Sequence, residues 1–246
     1  MWVRLATLVR HNLVLRLRDP GHLVSYLVMP MVLMLAFEPL YAASVSNGKT
    51  QAVVGMLVMF SVLSLSVVGA AMLTERIWRT WDRLRMSPVS VPELLLGKTI
   101  PVFVLLVAQQ ALLLVFGVFV VGMSIPGPLP LVAFAVVVWS VTLLALGSAL
   151  ATLVRSFGEM SAICDVGALA VSALGGALAP ISTLPHWAQV IAPASPGYWA
   201  VTMLEDAVSG DVSGVLACAM VLGCVAVAAG LLAGARVTRG LSALRG

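Results

Sequence analysis

The chain has 246 residues, of which 61% are hydrophobic and 10% charged, and its mean hydropathy is +1.09. A soluble domain carries about 25% charged residues, so the composition excludes a water-soluble globular protein and leaves lipid as the solvent for most of the surface. The formal net charge is +4, with Arg far in excess of Lys, and the three cysteines (Cys164, Cys218, Cys224) form no CxxC pair, which argues against a zinc site or a disulfide framework.

In chain order, residues 1–20 come first. Trp2, Ala6, Val9, Leu13 and Leu17 share one helical face, with Arg4, His11 and Arg18 opposite. That pattern predicts an amphipathic helix lying on the membrane surface and feeding the first span. The basic start, the apolar run 23–37 and Ala42-Ala43-Ser44 also have the makings of a signal peptide. The basic region is too long and too patterned for one, and an uncleaved helix is the reading adopted. About 20 apolar residues cross a bilayer, and runs of that kind predict spans at 22–41, 52–74, 99–122, 129–153, 160–180 and 213–235. The first two are joined by "SVSNGKTQ" and the third and fourth by "MSIPGPLP", a Pro/Gly turn that forces a tight hairpin. No soluble domain is inserted and no internal repeat is present.

Orientation follows from the basic residues. With the N-terminus in the cytoplasm, Arg4, Arg10, Arg16, Arg18, Arg76, Arg79, Arg83, Arg85, Lys98, Arg155, Arg236, Arg239 and Arg245 all fall inside and only Lys49 outside. Both termini are therefore expected in the cytoplasm, with 74–98 as the main internal loop.

That loop, "TERIWRTWDRLRMSPVSVPELLLGKT", concentrates charge in an otherwise apolar chain. Its final Gly97-Lys98-Thr99 is not a phosphate-binding loop. A Walker A motif needs an earlier glycine, where Pro92 stands, and a preceding strand. Lys98 reads instead as a side chain reaching for the headgroups where a helix re-enters the membrane. Upstream, Glu75, Arg76, Arg79, Asp82, Arg83 and Arg85 fall at helical spacing, so pairs such as Glu75–Arg79 and Asp82–Arg85 can form. Ser87-Pro88 then stops the helix. Orientation alone would not require mixed charges, Trp78, Trp81 and a clean helix stop.

The segment 181–199 is apolar but broken by Pro180, Pro185, Pro193 and Pro196. Irregular backbone at membrane depth needs support from protein or from a watery cavity. A short helix 184–192 dipping back from the outer face meets that need, with Trp187, Tyr198 and Trp199 at headgroup level. Glu205, Asp206 and Asp211 then close an external loop before the last span.

Isolated polar positions carry less. Glu38, before Pro39 near the outer end of the first span, and Asp165, in the fifth, are candidates for a substrate path, because an intramembrane acid is a functional candidate by default. Glu38 reads equally as a solvated residue at the span's end, and Arg155 and Glu159 just before Asp165 favour an ion pair in the inner vestibule. Gly230 and Gly234 form a GxxxG, mostly a matter of composition in a chain this rich in Gly and Ala. His11, His22 and His186 do not cluster, so no metal is implied. Apart from Asp165 the spans offer mainly Ser and Thr, so an intramembrane enzyme lacks its paired catalytic groups. A stand-alone secondary transporter lacks its inverted repeats and midplane charges. A scaffold subunit without transport activity stays open.

The loop "TERIWRTWDRLRMSPVSVPELLLGK" resembles the first cytoplasmic loop of ABC-2-type transporter permeases, in particular the drug-resistance (daunorubicin-type) branch, and "ALAPISTLPHWAQVIAPASPGYWAVTMLEDAV" resembles the outer re-entrant hairpin of that family. Arg79 stands where the family pattern has Gly before Thr80. The resemblance implies one transmembrane domain over 1–246: an all-α membrane protein with six transmembrane helices, an N-terminal amphipathic helix, a cytoplasmic coupling helix at 75–88 and an outer re-entrant hairpin. It implies the non-catalytic permease of an ABC exporter in a prokaryotic plasma membrane, moving a hydrophobic or amphipathic compound such as a drug, natural product or lipid. This chain would bind no cofactor; ATP and Mg would be used by a separate ATP-binding subunit, present in two copies, beside a second permease subunit. Glu75, Arg76, Thr80, Trp81, Asp82, Arg83, Leu84 and Arg85 are implied as the ATPase contact, and Leu184, Pro185, Trp187, Pro196, Tyr198 and Trp199 as an outer gate.

Overall fold

The computed structural model describes residues 14, 20–44, 47–77 and 91–242. Among them the chain is helical, without strands: α1 (Pro20–Ser44), α2 (Gly48–Leu63), α3 (Leu65–Ile77), α4 (Val91–Phe116), α5 (Leu129–Leu153), α6 (Phe157–Leu174), α7 (His186–Ile191), α8 (Pro196–Ser209) and α9 (Val212–Ser242). A π-helical stretch, Gly117–Val121, extends α4, and single 3-10 turns lie at Ile181–Thr183 and Ala192–Ala194. Among the described residues six stretches are long and apolar enough to cross a membrane: Tyr26–Ala43, Gly48–Ala70, Thr99–Val121, Leu129–Leu153, Phe157–Leu174 and Val212–Arg236.

Three details depart from uniform spans. The second is not one helix but α2 and α3, interrupted at Ser64. The third ends in π-helical turns, where Gly122, at φ 75°, takes the left-handed conformation that ends the helix. The fifth stops at Leu174 rather than running to 180, because Gly175 and Gly176 follow and Gly176 sits at φ 82°. Helix starts obey local chemistry. Ser156 caps α6, its hydroxyl accepting from the Glu159 N–H at 3.1 Å, while Glu159 Oε2 accepts from the Arg155 N–H at 2.8 Å, a reciprocal arrangement close to a capping box. Ser195 and Asp211 cap α8 and α9 in the same manner.

α2 is the centre of the bundle, packed against α1, α4, α6 and α8, while α5 packs against α9, α3 and α4. The core between them is led by fully buried Trp139, Met56, Leu57, Leu113, Leu143 and Met203. A smaller cluster, Leu73, Val154, Met160 and Cys164, closes the opposite end. In lipid no hydrophobic force draws helices together, so close packing and interhelical hydrogen bonds must hold them. The indole of Trp139 donates to Ser61 Oγ at 2.7 Å, and Gln110 Nε2 donates to Ser140 Oγ at 2.9 Å, tying α5 to α2 and to α4.

Replacing Trp139 by Phe removes that bond and leaves a cavity. The expected loss is roughly 1–3 kcal/mol, read as a lower apparent melting temperature in detergent. Trp187→Phe, at a side chain 61% exposed, is expected to leave that temperature unchanged.

Candidate functional site

The start of α2, the turn 122–128 and the segment 175–211 gather at one end of the bundle. The Gly127 N–H donates to the Val208 carbonyl at 2.8 Å, and the Lys49 ammonium lies 3.3 Å from where a Cβ on Gly122 would stand. Lys49 therefore sits beside the carbonyl end of α4, where a cation is favoured by the helix dipole.

The segment after α6 is fastened to the first two helices. Gln51 Nε2 donates to the Gly176 carbonyl at 2.5 Å, and the Tyr41 hydroxyl donates to the Leu178 carbonyl at 2.5 Å. Between those bonds the buried Ala177 lies over Gly55, where a Cβ would collide with the Ala177 carbonyl oxygen. Three consecutive residues are thus seated on α1 and α2 by two side chains and one missing side chain. Backbone that leaves the helix at this depth needs such donors.

Beyond this seat the expected gate residues take distinct positions. Leu184 is half-buried, its carbonyl accepting from Gln189 Nε2 at 2.8 Å. Pro185 opens α7, whose Trp187, Val190 and Ile191 point outward and whose Ala188 alone is buried. Pro196 is the first residue of α8, preceded by Ser195, whose hydroxyl donates to the Val171 carbonyl at 3.2 Å and so ties the segment back to α6. Trp199 Nε1 donates to the Pro193 carbonyl at 2.8 Å, and its ring meets that of Tyr198 edge-on, centroids 5.1 Å apart. Tyr198, Trp199 and Pro196 therefore form one unit at the start of α8, and Trp187 stands apart from it.

Of the expected ATPase contacts, Glu75 and Arg76 lie in the last turn of α3. Their side chains, and Thr80, Trp81, Asp82, Arg83, Leu84 and Arg85, lie outside the described residues. Glu38 is half-buried near the loop end of α1. Asp165 is exposed on α6 and accepts from the Ser161 hydroxyl at 3.2 Å, while Glu159 is engaged by the Arg155 backbone; the ion pair open to these residues is not formed among the described residues. Glu38 and Asp165 share no hydrogen bond there.

The spans also hold more than Ser and Thr. Gln109 and Gln110 make interhelical bonds, and Gln51 bonds to the turn after α6. The signal was present as uncharged amides inside apolar runs, most plainly the Gln109-Gln110 pair in "LLVAQQALLL", since an amide in hydrocarbon must find a partner.

The turn from α8 to α9 brings three carboxyls together. Asp211 is held below its ordinary range by the Ser213 hydroxyl and by the backbone of Gly214 and Ser213. Asp206 is raised by burial and by the charge of Asp211. Glu205 is pushed up to about 7, by burial first and by Asp206 second. Gly214 allows this proximity, since a Cβ there would strike the Asp206 carboxylate. An acid raised in the folded state opposes folding once it ionises. Its favourable contribution is complete below the ordinary value of 4.5 and is lost as pH rises through about 7. The apparent melting temperature of the wild type is therefore expected to fall between pH 5 and pH 8.5 by more than that of Glu205→Gln, measured in the same detergent.

Comparison with known proteins follows this architecture. Residues 3–208 match the family described as ABC-2 type transporter. A protein of Escherichia coli strain K12 described as "Probable multidrug ABC transporter permease YbhR" is 26% identical over 128 residues, covering 52% of this chain and 33% of that protein. Its counterpart in Escherichia coli O157:H7 matches with the same figures. The match thus spans about a third of the length of these relatives. With six membrane-crossing helices and a family match over most of its length, the chain belongs to the ABC-2 type transporter family of multi-pass membrane proteins.

Proposed function

We propose that the chain is the membrane-spanning permease subunit of an ATP-driven exporter, forming the path for a hydrophobic or amphipathic compound. The observation that carries this reading is the family match over 3–208 on a six-span bundle. The chain itself performs no chemistry. A separate ATP-binding subunit, in two copies, uses ATP and Mg, and a second permease subunit completes the path. The multidrug description of the Escherichia coli relatives supports a drug or similar apolar molecule as cargo. The loop 74–98 favours the drug-resistance branch.

The distribution of basic residues supports a plasma-membrane topology with both termini in the cytoplasm. The loop end described above then faces outward, and 175–199 closes the path there. The segment 75–88 seats in the ATP-binding subunit, with Glu75, Trp81, Asp82, Arg83 and Arg85 as contacts. Arginines bonded in bidentate fashion can pass a rigid-body movement of that subunit to α3. The exposed Asp165 supports a second permease subunit or an aqueous path beside α6, because an acid facing acyl chains is costly.

The test is purification of the tagged chain from its native membrane in mild detergent, followed by mass spectrometry. A soluble partner carrying a complete G-x-x-x-x-G-K-[ST] loop is expected in near-stoichiometric amount. Arg83→Glu should remove it while the permease remains inserted. A chain that purifies without any nucleotide-binding partner would overturn the reading in favour of a stand-alone carrier.

A further inference from the structure

Proline at position 30 deprives the first span of one hydrogen bond. In an α-helix the N–H of residue 30 would bond to the carbonyl of Tyr26, and Pro30 has none to give. The orphaned carbonyl is met from another helix: Gln109 Nε2, on α4, donates to it at 3.2 Å. The other atom of the same carboxamide faces the break in the second span. Ser64 Oγ lies 2.9 Å from Gln109 Oε1 and 3.0 Å from the Phe60 carbonyl, so its single proton serves two acceptors. Ser64 is the residue at which the second span breaks into α2 and α3, and a serine hydroxyl turned back on the carbonyl four residues earlier bends a helix. Tyr26 reaches the far side of the break as well. Its hydroxyl lies 3.1 Å from Ser66 Oγ, which itself donates to the Leu63 carbonyl at 3.0 Å. One glutamine thus joins the helix that carries Pro30 to the span that breaks at Ser64.

The two halves of the second span share α4 and α6 as neighbours but differ in the rest. α2 alone packs closely against α1 and α8. α3 packs chiefly against α5 and α6, where Val68 rests on Gly147 and Met160 rests on Gly69. At these two glycines α3 meets its neighbours through bare backbone and apolar side chains, while α2 is enclosed and bonded to the 176–178 seat. α3 is also the helix whose chain continues into 78–90.

We propose that Gln109 is a positioning residue that makes Ser64 a hinge. Its carboxamide pins the break to α1 and α4, so that α3 can swing with the cytoplasmic loop while α2 and the outer segment hold still. The direction of the force rests on the permease reading above; the bridge itself does not.

The experiment is amide hydrogen exchange by mass spectrometry on the full chain in lipid nanodiscs. Gln109→Leu keeps the bulk and removes both bonds. Exchange over residues 60–70 is expected to rise roughly tenfold, with α5 unchanged, because local opening reports local bonds. Pro30→Ala gives the Tyr26 carbonyl an intrahelical donor, so in that background the effect of Gln109→Leu should shrink to threefold or less. Unchanged exchange in Gln109→Leu, a uniform rise across all helices, or an undiminished effect in the Pro30→Ala background would each overturn the bridge. In the complex with its ATP-binding subunit, ATP with vanadate is expected to alter exchange over 60–70 in the wild type and not in Gln109→Leu. A wild-type complex indifferent to ATP at these amides would overturn the hinge. Failure of any ATP-binding subunit to co-purify bears on the proposed function alone, because the isolated chain decides the bridge.

Discussion

Within hydrocarbon no water is available to a peptide N–H or C=O, so each departure from α-helix must be met by another part of the protein. This chain departs from α-helix at several points, and the partners can be named. The carbonyl freed by Pro30 is taken by Gln109. At Ser64 the N–H still donates to the Phe60 carbonyl at 3.1 Å, and the hydroxyl turns to Gln109. Past the π-helical turns the Met123 N–H reaches back to Gly117 at 2.9 Å. The carbonyls of Gly176 and Leu178 are taken by Gln51 and Tyr41, and that of Val171 by Gly175 N–H and Ser195. Gln51, Tyr41, Gln109 and Ser195 stand where the backbone needs a donor.

The same placement makes the two ends unlike. At the loop end, bonds from α1, α2 and α6 hold the chain between 171 and 197, and Ser195 at once caps α8 and grips α6. Toward the opposite end α3 meets α5 and α6 at glycine-lined contacts, Val68 on Gly147 and Met160 on Gly69, and in the small cluster around Leu73 and Met160.

How much of this could be read from sequence differs by feature. Long apolar runs separated by turn residues indicate six helices without ambiguity, because span length is set by the bilayer and is independent of packing. Local caps are equally legible: Ser156 with Glu159, Pro196 after Ser195, and Asp211 before Ser213 are patterns confined to a few residues. The break at Ser64 is not, since nothing in "FSVLSLSVV" separates that serine from Ser61, which stays inside α2 and receives the Trp139 indole. Which serine bends the helix depends on a glutamine 45 residues away. The seat of 176–178 is invisible for the same reason, as its donors come from helices more than 100 residues earlier. The tail of the expected fifth span, 175–180, is apolar enough for a helix, but the glycines at 175 and 176 make a left-handed turn at Gly176 cheaper than continued helix.

The exposed faces of the bundle are not equivalent, and the difference bears on what surrounds it. On α9 the outward positions include Leu216, Met220, Val227 and Leu231, together with Gly230 and Gly234, all compatible with acyl chains. On α1 they are Val28, Met29, Val32, Leu35 and Leu40, again apolar. On α6 only Met160, Cys164, Ala168 and Ser172 turn inward, one residue per turn, so nearly the whole helix is uncovered. That uncovered surface carries Asp165 and Ser161 beside Val166 and Leu169. A carboxylate bonded to one serine hydroxyl still lacks most of the partners that water would supply, and lipid supplies none. Lipid therefore accounts for the apolar surfaces of α9 and α1 better than for that of α6, where Asp165 and Ser161 stand exposed.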